Sequence, residues 1–141
     1  MANRNFNGVQ INQSVTIVEK AGTQIQDCRN RVMVYDEDGN VVLAADGTKP
    51  FAGIALIEAG MNDISGVNAG RVEAGEPLDI QIKDMGYVLA GGDIAKGAEI
   101  AAGADGVAVT AAAGDYVLGI ALDAVEKDDY CYIQISKYQK N

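Results

Sequence analysis

The sequence predicts an all-β protein, mainly strand with at most one short helix, in which two related β-meanders close into a small barrel or sandwich. Three observations carry this. The tetrapeptide Gly-Ile-Ala-Leu is written twice, at residues 53–56 and 119–122, behind a turn each time. Short apolar runs are punctuated by Asp-Gly dipeptides, the signature of tight hairpins. Two segments, LDIQIK at 78–83 and CYIQIS at 131–136, share an Ile-Gln-Ile alternation that buries one strand face and leaves the other in water.

The elements follow in order. Residues 1–13, MANRNFNGVQINQ, are polar and Asn-rich and read as an extended arm, with residues 14–141 forming one β domain. Ser14 to Val18 alternates as a first strand, with Val15 and Ile17 on one side, and stops near Ala21-Gly22. Val32 to Tyr35 and Val41 to Leu43 form a hairpin across the turn DEDGN. Asp46-Gly47 and Pro50 interrupt pairing before a third strand, Phe51 to Leu56. Residues 33–59 then recur as 99–125 without a gap, Ile100 taking the place of Val34 and Val107 and Val109 those of Val41 and Leu43. A longer connection in the first copy, residues 59–77, reads as an inserted loop, and Gly86 to Ala90 as a short strand between the copies. GGDIAKGAEI reads as a turn followed by an extended segment or one helical turn.

Glycine inside a strand weakens pairing and marks a bulge or a close backbone approach. Gly53 and Gly119, each followed two residues on by a small Ala, therefore mark tight crossings, and Ile54, Leu56, Ile120 and Leu122 are the expected core of the repeat.

Composition narrows the function. With 20 acidic and 11 basic residues the net charge is −9, which argues against nucleic acid as a partner because neutralising phosphates takes clustered Lys and Arg. Residues 1–31 carry +2 and residues 130–141 another +2, so an acidic body has mildly basic ends. Cys28 and Cys131 are too few and too far apart for a disulfide framework or a CxxC site and are expected as reduced, part-buried thiols. The N-terminus lacks the apolar core of a signal peptide, and no apolar run is long enough to span a bilayer, so no membrane partner and a cytoplasmic origin are expected.

No catalytic, cofactor or metal site is expected. There is no histidine, which removes the commonest base and metal ligand together. Asp36, Glu37, Asp38 and Asn40 lack the alternation and distal Glu of a calcium loop and read as a solvated turn. LAGGDIAKG satisfies neither phosphate-loop spacing. Asp123, Glu126, Asp128 and Asp129 supply carboxylates for glycoside hydrolysis without aromatic platforms, since the chain has no Trp and two Phe.

The Ala-Gly turns, the Asp-Gly hairpin, the AAGD turn and the Gly-Ile-Ala-Leu strand leading to an alternating strand, from AGEPLDIQI through to DDYCYIQIS, resemble the small phage capsid decoration, or cement, proteins. The resemblance covers residues 74–136 and, through the repeat, 33–59. It implies a β-tulip-like protein that joins the outer capsid surface of a virion after synthesis in the bacterial host cytoplasm and binds the major capsid protein as a homotrimer. It further implies that an N-terminal arm adds a strand to a capsid subunit. Arg4, Phe6, Val9 and Ile11 match that arm by position and character. Rival readings are a head-fibre base, a tail-associated trimer, a β-sandwich module for sugar or peptide using Tyr130 and Tyr132 on one strand face, and an enzyme whose site forms between subunits.

Overall fold

The computed structural model describes residues 16–141 and is all-β. In chain order the strands are β1 (Thr16–Lys20), β2 (Val32–Tyr35), β3 (Val41–Leu43), β4 (Phe51–Ala55), β5 (Pro77–Gln81), β6 (Met85–Leu89), β7 (Glu99–Ala102), β8 (Ala108–Thr110), β9 (Tyr116–Ala121) and β10 (Tyr130–Gln139). The one helical element among the described residues is a 3-10 turn, Ala104–Gly106. Most strands carry the β-branched or alternating pattern that favours a pleated, half-buried surface, whereas β4, rich in small residues, is buried throughout.

Two antiparallel five-stranded sheets result, ordered β1-β5-β4-β2-β3 and β6-β10-β9-β7-β8. The second repeats the first strand for strand, so the duplication reaches back to β1 and β6. Those two strands share alternation but almost no identity, and so do not stand out as a repeat in the sequence. In each sheet the first and last strands meet at a single parallel bridge, Ala21 to Val41 and Ala90 to Ala108. One bridge does not close a barrel, so the sandwich-like form is the one realised.

The backbone hydrogen bonds repeat with the strands. Ala21 N–H donates to Glu76 O as Ala90 N–H does to Asp129 O, both at about the same length, 2.9 and 2.8 Å. Leu56 N–H donates to Asp79 O as Leu122 N–H does to Tyr132 O. These pairs correct the gapless alignment. Ala108, not Val107, sits where Val41 does, Ala111 where Ala44 does and Ala121 where Ala55 does, so the second copy is one residue shorter between its third and fourth strands. Bridges Ile25 to Val72 and Ile94 to Val125 likewise place the insertion at residues 56–71, against 122–124 in the second copy.

The repeated glycine behaves as a close crossing. A Cβ on Gly53 would collide with the Gln81 carbonyl oxygen and one on Gly119 with that of Gln134, and the β2–β4 and β9–β10 ladders each shift register nearby. Two buried clusters form. One lies within the N-terminal sheet around Met33, Val72, Leu78 and Ile80. The other fills the C-terminal sheet and takes in Val32, Val34, Phe51 and Ile54 from the first unit, which is how the two units hold together.

Candidate interaction surface

The unit boundary is sealed by the two buried polar residues of the described core, Asn30 and Gln81. Asn30 lies in the left-handed region, φ 57°, just before β2, and its Nδ2 donates to Tyr87 O at 3.0 Å while its carbonyl accepts from Leu89 N–H at 2.9 Å. Gln81 Nε2 donates to Lys83 O at 2.9 Å and Met85 O at 2.6 Å. Together they occupy the outer edge of β6, pairing the carbonyls of Tyr87 and Met85 that no strand of the sheet reaches. Lys137 Nζ reaches across to Ala52 O at 2.6 Å, and its burial pushes the ammonium pKa down.

Beside this seam lies an apolar patch. The β6–β10 register sets Tyr132 opposite Tyr87 and Gln134 opposite Met85. The Tyr87 and Tyr132 rings meet at 4.7 Å and 31°, and Tyr132 Oη donates to Met85 Sδ at 3.4 Å. Tyr130, Tyr87, Ile57 and Asn30 line a shallow depression of about 290 Å³. Sequence reading placed Tyr130 and Tyr132 on one face, but Tyr87, Ile57 and Asn30 reach them only through the fold.

The insertion carries a second apolar display. Met61, Ile64 and Val67 are exposed, Ile64 fully. The loop is nonetheless built. Asp63 accepts from Ser65 N–H, Ser65 Oγ and Asn68 N–H at 2.8–2.9 Å, which hold its carboxyl below the usual range, the Asn68 bond most of all. Its neck is closed by Met61 N–H to Arg71 O and Gly70 N–H to Met61 O, both 2.9 Å.

The residues singled out from sequence fall as follows. Arg4, Phe6, Val9 and Ile11 lie outside the described residues. Ile54 is buried at the unit boundary, whereas Leu56, Ile120 and Leu122 are only partly covered. The small residues Ala55 and Ala121, two positions after the crossing glycines, are buried instead. Asp36 spans its own turn, accepting from Asp38 N–H and Asn40 N–H at 2.9 Å. Asp123 accepts from Tyr132 N–H at 3.1 Å, and Glu126 and Asp129 border an open hollow with Asp93. Among the described residues no three His, Cys, Asp or Glu side chains group as metal ligands, and no helix is long and apolar enough to cross a membrane. Cys28 and Cys131 are fully rather than partly buried, and burial first pushes their thiols up to about 11 and about 12.

A duplicated, sandwich-like pair of antiparallel sheets with exposed aromatic and aliphatic side chains is thus the class this chain defines. In fold it is similar to the head fiber gp8.5 N base of bacteriophage phi29, with a TM-score of 0.57 at 20% identity, over 92% of this chain and 99% of that one. No protein-family profile matches the chain. No curated protein matches it in sequence.

Proposed function

We propose that this protein is a structural component of a bacteriophage virion that binds the outer surface of the head and stabilises the shell, as a trimer with residues 1–13 contacting the major capsid protein. The observation that supports this most is the fold shared with the gp8.5 base over nearly the whole of both chains. The exposed Tyr87, Tyr130, Ile64 and Val67 suit adhesion, because apolar groups displayed in clusters mark protein-binding surfaces. The acidic body limits self-association in dilute solution and makes shell binding sensitive to salt.

Sedimentation with expanded empty capsids of the parent phage tests this, run beside a truncation lacking residues 2–12. Co-sedimentation at about one chain per shell subunit, lost on truncation, is the expected result. Absence of binding to every expanded shell overturns it. The same structural likeness favours a second reading, the base of a head fibre. Cryo-microscopy of virions separates the two: density confined to a low cap supports the decoration role, and density projecting from that cap supports the fibre base.

A further inference from the structure

The two units of one chain meet in a way that leaves half of the contact unused at each end. Unit one supplies Asn30, Gln81 and Ile54, and unit two supplies the β6 edge. The counterpart of β6 is β1, whose edge from Thr16 to Lys20, short of the Ala21–Val41 bridge, carries no strand, loop or side-chain cap among the described residues. Ala21 N–H turns toward β5 through Glu76 O, so by strand alternation Thr16, Val18 and Lys20 direct their N–H and C=O groups to the free edge. Val18 is 64% exposed. The inner face of β1 is only half-covered, Ile17 packing on the first cluster and Glu19 bonded to the Tyr35 hydroxyl, where the equivalent Gly86 and Val88 are buried.

The matching corner is open on unit two. Gln134 occupies the place of Gln81 and is exposed, Gly97 that of Asn30 and is exposed, and Ile120 that of buried Ile54 and is only half-covered. The rest of that face is taken by the chain's own C-terminus. Tyr138 Oη donates to Glu99 Oε2 at 2.5 Å, and Lys140 Nζ donates to Ala111 O at 3.3 Å. The free part is therefore a corner made of Gly97, Ile120 and Gln134.

We infer that the β1 edge of one chain docks on the Gly97–Ile120–Gln134 corner of a second copy, repeating between chains the contact that joins the units within one. Lys20 N–H then donates to Gly97 O as Leu89 does to Asn30, and Gln134 Nε2 donates to Thr16 O as Gln81 does to Met85. A contact between two different surfaces of the same chain closes into a ring when its rotation allows. This rests on the trimer reading above and gives it an interface. The contact is smaller than the internal one, because Gly97 lacks the Asn30 side chain, so association is weak in dilute solution and strengthens where copies are concentrated.

Two measurements on the full chain test it. In sedimentation velocity over rising concentration, Val18→Asp and Gln134→Arg, both at exposed positions, each weaken self-association at least about tenfold. In the second, Thr16→Cys with Gln134→Cys is joined between chains by a short bismaleimide, while Thr16→Cys with Glu126→Cys, exposed but away from the corner, is not. A wild-type trimer that both substitutions leave intact and the reagent does not join would overturn this interface and spare the trimer. A chain that stays monomeric at every concentration, and is not joined even on capsids, would overturn both. If the chain's own N-terminus covers this edge, the truncation lacking residues 2–12 associates while the full chain does not, and the proposal fails.

Discussion

Replacing Gln81 by Ala measures what sealing the β6 edge contributes. Gln81 is 6% exposed, and its amide nitrogen is bonded to both Lys83 O and Met85 O. Each neutral hydrogen bond is worth about 1 kcal/mol net, and more where the abandoned carbonyl stays dry. Loss of a buried methylene adds about 0.8 kcal/mol. The expected destabilisation is therefore about 2–4 kcal/mol, read as a lower urea midpoint with unchanged m-value at a dilution where association makes no contribution. Gln134→Ala is the internal control, since the same residue type at the equivalent position is exposed and its removal shifts stability by less than about 0.5 kcal/mol. Equal effects of the two substitutions, or a Gln81→Ala loss under about 1 kcal/mol, would refute the edge-sealing argument.

Further outcomes follow from individual contacts. Gly53→Ala and Gly119→Ala each drive a methyl into a backbone carbonyl and lower stability by about 2 kcal/mol or more in denaturant titrations, whereas Gly39→Ala, with φ +81° and open space around it, costs only about 1–2 kcal/mol. Asp63→Ala loosens the insertion without unfolding the sheets, so limited proteolysis cuts within residues 60–70 while the melting transition stays in place. Neither thiol reacts with a disulfide reagent at pH 8 until denaturant is added, because both are buried and protonated. Their raised folded-state values also set a pH trend: this stabilisation is complete below the ordinary thiol value of 9.0 and is lost as pH rises toward 11 to 12, since the unfolded chain releases its protons first. An alkaline denaturation series on Cys28→Ala and Cys131→Ala checks it by a flatter decline above pH 9.0.

Local chemistry determined much of this protein. The Asp-Gly hairpin at 38–39, the alternation of Ile-Gln-Ile in the last strand and the glycine crossings at 53 and 119 were legible because each is decided by neighbours in sequence, whereas in the first copy Gln81 is buried against that alternation. The same signals revealed a duplication but not its extent, since β1 and β6 are equivalent by their place in the sheet rather than by identity. Only tertiary structure decided which copy of each repeated residue is covered. Ile54 and Ile120 stand in identical tetrapeptides, as do Gln81 and Gln134 in identical tripeptides, yet one member of each pair is buried and the other is not. Burial is a property of what packs against a residue: the second unit sits against the first, and within the chain nothing equivalent sits against the second.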